Sequence, residues 1–142
     1  MYPSHDVLRM VLADGSAIVR AGIRLLLADV PEIEVVEECN NPKSTRAAIC
    51  EHRPDLVMAE FRLGAGTAVE VLQQCRQMNP KPICVVYAFN PTTSTRAISY
   101  AAGADIFYDE CKDMDPLIVM LRKLAIALQP TQQLALALHA AA

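Results

Sequence analysis

At 142 residues the chain has the size of one domain with room for a buried core, and its formal net charge of −3 offers no basic footprint for nucleic acid. Hydrophobic residues make up 53% and aromatics 5%, so aliphatics carry the apolar fraction, as where helices cover a buried sheet. No apolar run reaches the ~18 residues of a membrane span, since Leu117 to Leu128 is interrupted by Arg122 and Lys123, and Met1 to Asp6 lacks the regions of a secretory leader; a cytoplasmic protein without membrane contact is expected. Cys39, Cys50, Cys75, Cys84 and Cys111 are odd in number and never form Cys-x-x-Cys, which speaks for buried thiols rather than a disulfide framework or zinc knuckle. His5, His52 and His139 lack ligand spacing and read as surface residues.

Along the chain, short apolar runs alternate with helical patterns five times, the rhythm of βαβ units around a parallel sheet. Met10 to Ala13 reads as a strand, and Ser16 to Ala28 as a helix burying Ile18, Ile23, Leu25, Leu26 and Leu27, with Pro31 after its end. Ile33 to Glu38 alternates into a second strand. Asn41-Pro42 opens a helix to about His52, proline standing at the first turn where its missing N–H costs nothing. Leu56 to Ala59 is the third strand, Gly64 to Thr67 a loop and cap, and Ala68 to Met78 a helix broken by Asn79-Pro80-Lys81-Pro82. Ile83 to Tyr87 reads as a fully buried strand, Asn90-Pro91 starts a turn and a helix to Ala102 that Gly103 ends, and Ile106 to Tyr108 is the short fifth strand. Asp115-Pro116 starts the last helix.

In an open parallel sheet, functional groups collect beyond the carboxyl ends of the strands, here Asp14, Gly15, Glu60, Ala88 and Glu110. The chain resembles the CheY-like receiver domains of two-component response regulators, most closely the NarL/FixJ (LuxR-type) branch. The resemblance rests on Ala13-Asp14 with Val19-Arg20-Ala21-Gly22, on Glu34-Val35-Val36-Glu37-Glu38, on Arg53-Pro54-Asp55-Leu56-Val57 and on the Gly103-Ala104-Asp105 turn, and it covers roughly residues 8 to 127. It implies a doubly wound five-stranded parallel sheet, the (βα)5 flavodoxin-like three-layer α/β sandwich. It also implies a site where two acidic residues after the first strand and an aspartate ending the third hold Mg²⁺, the aspartate accepting a phosphoryl group.

Against that pattern, the acidic pair is reduced to Asp14-Gly15, the acceptor falls on Glu60, the hydroxyl residue ending the fourth strand on Ala88, and the lysine ending the fifth on Glu110. One carboxylate fewer weakens a Mg²⁺ site, and a nucleophile one methylene too long is misplaced by about 1 Å, worth on the order of 100-fold. Glu110 reverses the charge that would neutralise a phosphoryl group. A pseudo-receiver that is not phosphorylated and is not an enzyme is the expectation. Three readings of the altered site stand beside it: Asp14, Glu60 and Glu110 as a carboxylate cluster holding Mg²⁺ or Ca²⁺ (Asp14 and Glu60 as its ligands), a solvated loop cluster, or Glu60 imitating a phosphorylated aspartate, which Glu110 opposes. Phe107 corresponds to the switch aromatic of the fifth strand, with Ala88 beneath it; the alternative is a plain core aromatic.

The last helix carries Leu117, Met120, Leu121, Leu124 and Leu128 on one stripe, widened by Ile118, Val119, Ala125 and Ile126 beyond what one sheet covers. A protein partner or a homodimer on Leu117, Ile118, Met120, Leu121 and Leu124 is expected. Residues 1–128 read as the receiver-like domain and 129–142, beyond Gln129-Pro130, as a helix-forming tail or linker stub. Receivers of this branch usually precede a DNA-binding helix-turn-helix, which is not present here, so contact with DNA is expected only through such a domain. The competing functional reading is a stand-alone adaptor or a ligand or cation sensor. A flavodoxin-like redox enzyme fits poorly, because no glycine- or hydroxyl-rich phosphate loop follows the first strand.

Overall fold

The fold is seen in a computed structural model, described over residues 7–109 and 113–141, with side chains as far as Leu128. In chain order the elements are β1 (Leu8–Ala13), α1 (Ala17–Leu27), β2 (Ile33–Cys39), α2 (Pro42–His52), β3 (Leu56–Glu60), β4 (Arg62–Leu63), β5 (Gly66–Thr67), α3 (Val69–Arg76), β6 (Ile83–Ala88), α4 (Thr93–Ala102), β7 (Ile106–Asp109) and α5 (Asp115–Ala141). Five strands pair in the order β2-β1-β3-β6-β7, all parallel, and β4 and β5 form a separate antiparallel hairpin. This is the expected doubly wound α/β sandwich.

Helices cover both faces because the inner strands are apolar on both sides. On one face Val11, Val57 and Val86 pack with Ile49 of α2 and with Val71 and Leu72 of α3. On the other, Met10, Leu12, Met58 and Tyr87 pack with Ile23 and Leu27 of α1 and with Leu117 and Leu121 of α5. Local chemistry sets the ends of the helices. The Ser16 hydroxyl accepts from the Val19 N–H, the Asn41 side chain from the Ser44 N–H, and Thr92 and Thr95 form a reciprocal capping box. Helix α2 ends at Arg53 in the left-handed region, φ 44°, and α4 ends at Gly103, φ 125°.

Three expectations change. In α1 only Ile23 and Leu27 are fully buried, whereas Ile18 is 85% and Leu25 75% exposed, because the sheet contacts one narrow side of this helix. In α5 the stripe expected to meet a partner largely meets the sheet instead. Leu117, Ile118 and Leu121 lie in the core, Met120 and Leu124 are half-buried, and the exposed apolar positions are Val119 and Ile126. The run of apolar residues is wide enough for either stripe to face inward, and packing selects the one with Ala125 between leucines. Finally, α5 continues through Pro130 to Ala141. A proline removes one i→i−4 bond, and the leucines and alanines that follow are strong helix formers.

Cys39, Cys75 and Cys84 are buried and unpaired, as expected, while Cys50 is exposed and Cys111 lies outside the described residues. Burial first, then the charge of Glu37, pushes the Cys39 thiol up from 9.0 to about 11. The folded state therefore keeps a proton that the unfolded chain releases, and stability should fall as pH rises from 9.0 towards about 11. Denaturant midpoints measured across that range, compared with a Cys39→Ala variant, are expected to show a shallower decline in the variant.

Candidate functional site

At the carboxyl ends of the strands the backbone brings together the residue after β1, the last residues of β3 and β6, and the hairpin β4–β5. Asp14 is fully buried. Its Oδ1 accepts from the Ser16 N–H at 2.8 Å and its Oδ2 from the Tyr87 hydroxyl at 2.6 Å. Its backbone is held as well, the N–H donating to the Cys39 carbonyl and the carbonyl accepting from Arg20 Nη1. Arg20 is fixed in turn by Glu38, which also pairs with Arg24. The carboxyl group thus ties β1, α1 and β6 together, and a buried acid with a donor on each oxygen meets the requirement that buried polar groups be satisfied.

Beside it, exposed Gly15 supplies no ligand, and a side chain there would press on the turn at Gly64. A Cβ at this position would lie 3.2 Å from the Gly64 nitrogen and 3.8 Å from the Asn40 carbonyl oxygen. The hairpin beside it was read from sequence, over Gly64 to Thr67, as a loop and cap. It pairs Arg62 with Thr67 and Leu63 with Gly66, and Leu63 is anchored in the core.

Glu60 ends β3, half-buried, opposite Tyr87 of β6. It lines a cleft of about 310 Å³ with Phe61, Arg62, Ala88, Asn90 and Thr92. Ala88 is where the resemblance places a hydroxyl, and its methyl group gives this wall no hydrogen-bonding atom. Glu110 lies outside the described residues, so the acidic cluster can be followed only at Asp14 and Glu60. Asp14 turns inward to Tyr87, and among the described residues neither Asp14 nor Glu60 belongs to a group of three side chains spaced to hold a metal. With buried Asp14 tied inward to Tyr87 and Gly15 adding no second carboxylate, these residues do not fit the Mg²⁺ that the resemblance implies.

Phe107 is turned inward and is 7% exposed, in the core cluster with Val86 and Ala88. The Arg96 guanidinium lies 5.2 Å from its ring centroid, and the Phe107 backbone N–H donates to the Tyr100 hydroxyl at 3.2 Å. Sequence reasoning left the ring between switch and core. It also missed Tyr87, whose position 73 residues from Asp14 carries no local signal.

No protein-family model matches the chain. It is 30% identical over 98 residues to a protein-glutamate methylesterase/protein-glutamine glutaminase of Anaeromyxobacter dehalogenans, a match covering 68% of the chain and 28% of that relative. It is 26% identical over 98 residues to the DNA-binding transcriptional activator DevR/DosR of Mycobacterium tuberculosis, covering 69% of the chain and 45% of the relative. The chain thus spans less than half the length of these relatives. Among solved structures it resembles a two-component response regulator of the LuxR family from Aurantimonas, with a TM-score of 0.76 at 21% identity over 85% of the chain and 86% of that one. The fold is that of a response-regulator receiver domain. Asp14 follows β1, Glu60 and Ala88 end β3 and β6, and Phe107 lies within β7. Among the described residues no helix is long and apolar enough to cross a membrane.

Proposed function

We propose that this chain is a receiver-like regulatory module of a two-component-type response regulator that signals without phosphorylation, through protein–protein contact. Residues 1–128 form the unit and 129–142 a helical tail or linker to whatever it controls. The observation that carries the reading is the closed Asp14–Tyr87 pair beside Gly15: the acid expected to hold a cation is engaged by the fold, and its neighbour carries no carboxylate. Exposed Ile18 and Leu25 of α1 and Val119 and Ile126 of α5 support a contact surface, most simply with a second copy. The likeness to LuxR-family regulators supports a role in transcription, with DNA held by another domain. The cleft at Glu60 and Arg62 supports the second reading, a sensor of a small ligand.

Intact mass after incubation with Mg²⁺ and a small-molecule phosphodonor, beside an ordinary receiver, tests the first reading. The chain is expected to keep its mass, with modification slower by at least about 100-fold than in the control. An adduct on Glu60 would restore a conventional switch.

A further inference from the structure

Away from the strand ends, the last turn of α2 meets edge strand β2 in a group that neither the fold nor the proposed function uses. Glu37 of β2 and Glu51 and His52 of α2 each bring a ligand atom within 4.8 Å of the other two, the one such group among the described residues. His52 Nε2 stands 3.0 Å from Glu37 Oε1, so the ring is already aimed at the carboxylate. Neither glutamate is paired with a lysine or arginine among the described residues, and Arg9, which reaches this turn, donates to the His52 carbonyl. The negative end of the α2 dipole adds to the same field. Two carboxylates without a lysine or arginine partner among the described residues therefore lie beside one imidazole nitrogen, at a helix terminus that favours a cation.

We infer that Glu37, Glu51 and His52 form a binding site for a borderline divalent transition cation such as Zn²⁺. One nitrogen and two carboxylate oxygens suit Zn²⁺ better than Mg²⁺ or Ca²⁺, which prefer oxygen alone. Tetrahedral zinc with ligands at about 2.0–2.2 Å spaces them by about 3.4 Å, close to the separation His52 and Glu37 already hold. Three protein ligands leave the fourth position to water. Cys39 is not a ligand in this arrangement: its thiol donates to the other Glu37 oxygen at 3.7 Å and so orients the carboxylate from behind. Bound metal would clamp α2 to β2 without touching the Asp14 end of the sheet.

Titration calorimetry of the full chain with Zn²⁺ alone, in a non-thiol reductant, tests the site. One equivalent is expected to bind in the micromolar range. His52→Ala should weaken binding by at least about 100-fold and Glu51→Gln by at least about tenfold, both with unchanged circular dichroism. Glu51 is exposed, so its variant separates lost ligation from lost folding. Cys50→Ser, removing the exposed thiol on the same helix, should bind as the parent does. No one-to-one binding below about 1 mM, parental affinity in both ligand variants, or loss of binding in Cys50→Ser would overturn the assignment.

Discussion

Replacing Tyr87 by Phe is expected to cost the fold about 2–3 kcal/mol, read as a lower urea midpoint with an unchanged slope. The change removes one oxygen and almost no volume, so packing around β6 stays intact and the loss isolates the hydrogen bond. It strips the donor from one oxygen of a carboxyl group that water does not reach, and an abandoned buried acceptor costs more than the bond itself contributes. Asp14→Ala alone should also destabilise, because Ser16 at the start of α1 loses its acceptor. Combined with Tyr87→Phe, the two losses should sum to less than their separate values, with a coupling of about 2 kcal/mol. Strict additivity would mean that the pair does not hold the two strands together.

Much of this fold is legible in the amino-acid sequence, because the relevant signals are local. Asn41-Pro42, Ser16 and Gly103 announce helix ends through their own side chains or backbone freedom, and the five apolar runs became the five sheet strands with boundaries shifted by a residue or two. The placement of Asp14 and Glu60 at strand ends followed from topology. What escaped were relations between distant segments. Nothing near Tyr87 says that its hydroxyl reaches Asp14, and nothing in Arg62 to Thr67 says that a glycine-rich turn will pair with itself. His52 read as a surface residue for the same reason, since Glu37, which its ring meets, comes from another element. The helix faces failed differently: α5 is apolar on most sides, so periodicity allows several orientations and only the shape of the sheet chooses among them.

Gly64→Val is expected to destabilise the chain by about 3 kcal/mol, combining backbone strain with overpacking. Gly64 has φ +60°, a region β-branched residues rarely adopt. A Cβ added there would lie 2.7 Å from the Asn40 carbonyl oxygen and 3.3 Å from the Asn41 Cβ. Both obstacles belong to the cap of α2, so neither the hairpin nor the cap can yield without disturbing the other. Gly22 provides the contrast within the same protein. It sits in exposed helix α1 with nothing within 4 Å of a new Cβ, and Gly22→Ala should raise stability by up to about 1 kcal/mol. Thermal melts of the two variants should therefore move in opposite directions, and a destabilised Gly22→Ala would show that α1 is covered in solution.

The outer strand β2 bears on how copies of this protein can meet. Between the Met10–Val35 and Val11–Glu37 pairings its register slips by one residue, leaving Val36 without an opposite number on β1. Such a bulge bends and twists the strand, and Glu34, Glu37 and Glu38, the last held by Arg20 and Arg24, place charged side chains along a margin whose outward amides and carbonyls would otherwise offer a template for another chain. A crooked border studded with charged side chains resists adding a sixth strand from a neighbour and so guards against sheet-to-sheet polymerisation. Substituting those glutamates by valine would turn the border into a run of seven residues with no charge, and fibrillar aggregation would be its natural outcome.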